Sequence, residues 1–218
     1  MKKIGIERIH IKLALCIISI ISICLIEATD TITFRLLNSV HPSFGIIAEY
    51  RLSSLVICYL LYKFSQHVVV TDNSEVPNWK KTLFVSIFTL IATFFVVLVT
   101  QVWIPIAQNW RDLIPFLFTG LLAEELLFRG CIYNLIKKIT QGKPKTTFSY
   151  AVIFSSLLFS LHHLAYHEFH LTQESLSQVV YTFFAGIIFA TVRESSGKLW
   201  PAIILHMLVN MITLIRSF

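Results

Sequence analysis

Glu124, Glu125 and Arg129 lie near the middle of an otherwise apolar stretch, residues 113–136. In lipid each ion at such a depth costs at least about 2.5–3.5 kcal/mol, so three together need a reason. On a helix Glu125 and Arg129, four apart, share one face and can neutralise each other. Glu124 points about 100° away and finds no partner within that helix. Two further apolar stretches carry imidazoles. His162 and His163 are adjacent near the end of one, and His206 and Asn210 stand four apart on one face of another. A carboxylate with imidazoles in a low-dielectric cavity is the composition of a site that activates water, and an asparagine amide is an apt donor to a developing oxyanion. A buried ion network that only locks helix packing would also account for the trio, but a lock has no use for the second carboxylate. A lone histidine on an apolar face is more often a hydrogen-bonded core residue than a catalyst. Here Glu, His, His and Asn all lie on helices able to face one interior.

The elements that must position these residues are membrane spans. The 218 residues are 56% hydrophobic and only 14% charged, where a soluble domain is roughly a quarter charged. Eighteen Phe and long Ile, Leu and Val runs would leave more apolar surface than a globule of this size can bury, so lipid is the solvent for much of the chain. A disordered chain, a disulfide scaffold and a nucleic-acid binder all fit poorly. A span needs about 20 apolar residues, and the pattern predicts an all-α polytopic transmembrane bundle of about seven spans, roughly six to eight. The first, residues 13–26, follows a basic start, but Glu27-Ala-Thr-Asp30 and no small-residue cleavage site comes after it, so it reads as retained. The second falls within 43–70, interrupted by Glu49, Arg51 and Lys63. The others are 83–104, 113–136, 148–165, a short one at 179–192, and 199–215. Pro115 and Pro201 suit first turns. No repeat, low-complexity tract or linker divides the chain, which reads as one membrane domain, 1–218.

With the N-terminus inside, most of the 18 Lys and Arg fall in inner segments, Arg193 and Lys198 among them. Only Arg35, Arg51, Arg111 and Arg216 fall outside, and Arg129 lies within a span. Such an asymmetry is what the positive-inside rule expects. The net charge of +6 is therefore an orientation signal for a cytoplasmic N-terminus and not a footprint for nucleic acid.

Three motifs in order then carry a resemblance. Glu124-Glu125-Leu-Leu-Phe-Arg129 is similar to the E-E-x-x-x-R signature of the CAAX-protease and bacteriocin-processing family of intramembrane proteases. Phe159-Ser-Leu-His-His163 resembles its F-x-x-x-H, and His206-Met-Leu-Val-Asn210 its H-x-x-x-[N/D]. Residues 186–205 also look like that family's run into the last motif, so the family-like catalytic core covers approximately 113–216. The resemblance implies an intramembrane endopeptidase whose Glu124, with His163, polarises a water for attack on a peptide carbonyl. It implies that His206 and Asn210 donate to the oxyanion and that Glu125 with Arg129 holds Glu124 in place. Phe159 supports the site as the first residue of its motif. In that register His163, not His162, completes the second motif.

Glu124, His163 and His206 could ligate zinc with one open position, yet the same residues suffice for metal-free attack, and no HExxH is present. His167-Glu-Phe-His170 is one residue short of that motif and reads as a solvated, histidine-rich turn. Cys16, Cys24, Cys58 and Cys131 lie in apolar surroundings without CxxC spacing and read as small buried hydrophobes. Expected partners are membrane lipid and a peptide or protein substrate, with no nucleic acid. The short chain and minimal loops suggest a prokaryotic plasma-membrane protein in bacteriocin or peptide processing or self-immunity. Two other classes compete. A proton-coupled transporter would use the same carboxylate and histidines as a relay, but neither an inverted repeat nor paired broken helices appear. A non-proteolytic immunity or scaffold protein would keep the fold without using the site. Counting along the spans puts His206 shallow, Glu124 mid-membrane and His163 nearer the outer face, a mismatch that tilt or shifted helix boundaries must remove.

Overall fold

Among the described residues, large apolar side chains are exposed along the helices while serines, threonines and charged groups are buried beside an apolar core, an arrangement that suits lipid. The computed structural model describes residues 46–68, 76–100, 116–140, 149–164 and 169–214. The expected first span at 13–26 and His167 lie outside the described residues. Among them all regular structure is helical, in six helices. Here α1 is Ile46–Val68, α2 is Trp79–Thr100, and α3 is the continuous segment 116–140. Next come α4, Tyr150–His162, α5, Gln173–Ser196, and α6, Trp200–Leu214. On α2 the exposed residues include Leu83, Phe84, Phe88, Ile91 and Phe95, whereas Thr82 and Thr89 are buried. Ser155, Ser156 and Ser160 of α4 are likewise buried, and fully so. Small polar residues between helices allow close packing where neighbouring tails are as apolar as leucine.

Among the described residues these six helices stand at the second to seventh expected spans. Of them α2, through Trp79–Val96, and α5 are long and apolar enough to cross a bilayer unaided, and α4 and α6 are shorter apolar helices. The sixth expected span is corrected most. In place of a short run at 179–192, α5 extends over 24 residues. The reason is at its ends. Thr172 and Ser175 cap each other's backbone in a capping box, and Gly197 closes the helix in the left-handed region at φ 67°. Arg193, expected in an inner connecting segment, therefore lies inside the last turn of α5, as does Glu194.

Helix α3 is irregular where it carries the charges. Phe116–Gly120 and Leu126–Ile132 are π-helical, flanking the α-helical Leu121–Glu125, and Tyr133–Thr140 continues as α-helix. Such i→i+5 turns occur often at functional sites because they re-aim side chains that a regular helix would place elsewhere. Helix α3 packs on α1, and α4 lies along α5. The close approach of the latter pair depends on Gly186, where a Cβ would sit 3.0 Å from the Ser156 Cβ and 3.3 Å from the Phe159 ring. Helix α6 packs against α2, α5 and the Leu121–Glu125 segment. These contacts bring α3, α4, α5 and α6 around one buried polar centre.

Candidate functional site

Glu125 is the hub of that centre. Its side chain is fully buried, and its Oε1 lies 3.0 Å from Arg129 Nη1, also fully buried. The same oxygen accepts a hydrogen bond from His206 Nδ1 at 2.9 Å. The i,i+4 pair expected on one helix is present, and it is extended by a contact between α3 and α6 that sequence spacing does not reveal. Arg129 Nη1 meets the carboxylate off the hydrogen-bonding direction, and none of its Nε, Nη1 or Nη2 has a hydrogen-bond partner among the described residues. Charge and ring faces hold the guanidinium instead. Its centre stands 4.0 Å from the Phe159 ring and 5.3 Å from the Phe189 ring, the cation–π geometry that gains most when water is absent.

The two histidines are held in the same way, each by Nδ1. His163 is buried, and its Nδ1 lies 2.8 Å from the Phe159 carbonyl. A carbonyl only accepts, so that bond puts the proton on Nδ1 and leaves Nε2 for other work. His206 gives its Nδ1 proton to Glu125, with the same consequence for its Nε2. Aromatic rings lock both orientations. The His206 ring stacks on Phe189, with centroids 4.5 Å apart and 23° between planes. Phe159 meets His163 edge-on at 4.7 Å and His206 at 6.0 Å.

Glu124 differs from Glu125 in one decisive respect: it is partly exposed where its neighbour is completely enclosed. Its charge acts on Arg129 and on His163, and His206 acts on His163 as well. The depth mismatch expected from counting is therefore absent. Helix α6 places His206 level with the Glu124–Glu125 pair, and α4 ends at His162, which sets His163 at the site. Asn210 lies one turn beyond His206 and is partly buried, and its side chain makes no hydrogen bond among the described residues.

The structure also sorts the remaining histidines. His162 rests on Phe128, centroids 5.5 Å apart, and meets His163 at 5.9 Å. His170 is exposed in the connection before α5, where its carbonyl accepts from the Ser175 hydroxyl at 2.7 Å. Among the described residues no three His, Cys, Asp or Glu side chains gather as a ligand cluster. The Nδ1 atoms of His206 and His163 are both engaged, by Glu125 and by a backbone carbonyl, so a proton or a metal would be met through Nε2.

Phe189 is the contributor that sequence reasoning missed. Gly186, Phe189, Ala190 and Arg193 fall on one face of α5 by their 3–4 spacing, and the first three are buried. That periodicity is the signal that could have found it.

Residues 107–212 match the Rce1-like family, described as type II CAAX prenyl endopeptidase. No curated protein and no solved structure matches the chain.

Proposed function

Residues 107–212 belong to the Rce1-like family of type II CAAX prenyl endopeptidases, which makes the chain a membrane-embedded peptide hydrolase, and from that premise we propose how it cleaves. Glu124 is the general base, and His163 shares the proton it takes from a water attacking the scissile carbonyl. The observation that carries this assignment is the division between the two carboxylates. Glu125 is enclosed and committed to Arg129 and His206, whereas Glu124 is accessible and coupled to His163. Glu125 and Arg129 are positioning residues. They hold His206, and through α3 they hold Glu124 at the water.

His206 and Asn210 face the developing oxyanion. With Nδ1 given to Glu125, the Nε2 of His206 donates only when the ring carries two protons, so the enclosed carboxylate beside it has a function in that step. The logic is that of a base oriented by a third group. Each donor aimed at an oxyanion in a dry site is worth roughly 3–4 kcal/mol of barrier. No step is assigned to a metal.

Topology and substrate extend the proposal. Seven spans with a cytoplasmic N-terminus in a prokaryotic plasma membrane accord with the bias of Lys and Arg toward the inner segments. A CAAX motif ends a polypeptide, and we take the substrate to be a peptide cleaved near its carboxyl end, in bacteriocin maturation, peptide processing or self-immunity. The test compares peptide termini in membrane fractions from cells expressing wild type or Glu124→Gln. New carboxyl termini appear only with wild type if the proposal is right. Termini made equally by the variant refute the base assignment.

A further inference from the structure

Arg193 is a second cation turned into the bundle, partly buried, and the reaction above does not use it. It lies one helical turn beyond Phe189 on α5, about 6 Å along the axis. Its Nη2 donates to Asn134 Oδ1 at 3.2 Å. Asn134 in turn donates through Nδ2 to the Gly130 carbonyl on its own helix, so both bonds agree on the amide's orientation. The guanidinium centre stands 5.5 Å over the Tyr133 ring. Its Nε is buried without a hydrogen-bond partner among the described residues. Among the described residues, the groups acting on its charge are the phenols of Tyr133 and Tyr62, and no carboxylate. The adjacent Glu194 turns to the Tyr133 hydroxyl, 3.3 Å away, and no described carboxylate pairs with Arg193.

A guanidinium turned into a membrane bundle with no described carboxylate beside it is costly even when partly exposed, and such residues mark ligand sites. Arginine presents a planar fork that matches a carboxylate bidentately. We propose that Arg193, held by Asn134 and Tyr133, receives the free carboxylate at the end of the peptide substrate. The inference rests on the endopeptidase reading and names how that site chooses its substrate. An extended peptide advances about 3.3 Å per residue, so the level of Phe189 and His206 lies about two residues from Arg193. A chain end bound there presents a carbonyl near its terminus to the water held by Glu124. The inward turn of Arg193 onto α3, away from the lipid-facing side, favours a peptide within the bundle over a lipid phosphate.

The experiment uses the full-length protein in liposomes and internally quenched peptide libraries of one design, made as free acids and as carboxyl-terminal amides. Wild type should cleave the acids with a kcat/KM roughly tenfold to a hundredfold above that of the amides, the span expected of one charge-assisted bidentate contact. Arg193→Gln should bring that ratio to near one, and Arg193→Lys should restore part of it. Equal cleavage of acids and amides by wild type overturns the site without any variant. A ratio that survives Arg193→Gln overturns it as well, as does an effect of that variant seen only as altered dependence on phosphatidylglycerol. Cleavage of neither library overturns the endopeptidase reading and the carboxylate site with it.

Discussion

Removing the charge of Glu125 while keeping its shape, as Glu125→Gln does, should cost both stability and activity. One oxygen of Glu125 serves two partners, Arg129 at 3.0 Å and His206 at 2.9 Å, and the Glu125–Arg129 pair is wholly enclosed. Taking the anion away leaves a buried guanidinium without the carboxylate it touches, with only the partly exposed Glu124 still acting on it, a change that costs about 3–5 kcal/mol. The ring faces of Phe159 and Phe189 cannot offset it, because Arg129 already holds them in the wild type. For a chain of this size each kcal/mol moves the unfolding midpoint by roughly 2–4 °C, so a fall on the order of 10 °C is expected. The assay is thermal unfolding of the detergent-purified protein followed by tryptophan fluorescence, with cleavage measured well below the transition. Glu124→Gln is the comparison, and at a partly exposed site it should unfold close to wild type. Adding Arg129→Met to Glu125→Gln removes the orphaned cation and should return part of the stability, a coupling of roughly 0.5–3 kcal/mol. Activity should stay low in the double variant, because His206 has lost its anchor. The reasoning is refuted if Glu125→Gln unfolds at the wild-type temperature, or if the double variant is as unstable as the two single losses added together.

Phe189→Leu removes the ring stacked on His206, a contact worth about 0.5–1.5 kcal/mol. Steady-state kinetics should show kcat falling about tenfold with KM little changed, and a change in KM alone would contradict a positioning role. Gly186→Ala introduces a Cβ 3.0 Å from the Ser156 side chain and 3.1 Å from its Cα. Forcing α4 from α5 should cost about 1–3 kcal/mol in a denaturation experiment and slow cleavage through the displaced Phe159 and His163. Thr82→Val breaks the 2.8 Å hydroxyl contact with Ser195 that ties α2 to α5. It should lower stability by about 1 kcal/mol and leave cleavage rates unchanged.

What could be read in the sequence was local. Glu125 and Arg129 are four apart, and on a helix that spacing alone brings them together. That Glu125 is the carboxylate stacked on Arg129 was legible for the same reason. The contact between His206 and Glu125 was not, since it spans 81 positions and depends on how α6 packs on α3. Phe189 is one of 18 Phe in an apolar chain, so its residue type carries no signal and only its helical phase does. Counting residues misjudged depth because π-helical turns in α3 and the short α4 alter the register that uniform helices would have. Hydropathy likewise shortened α5, whose first turns are polar. Its caps, Thr172 with Ser175 and then Gly197, set its ends instead.

The central claim is that Glu124 takes the proton from the water that attacks the peptide bond. Its most direct test is cleavage in oxygen-18 water by the purified protein in liposomes, wild type against Glu124→Gln. Mass spectrometry of the new carboxyl terminus reads both rate and label. The account predicts that wild type incorporates one solvent oxygen and that the variant's rate falls roughly 10²–10⁴-fold with its unfolding midpoint unchanged. Labelled product formed by Glu124→Gln at the wild-type rate would contradict it.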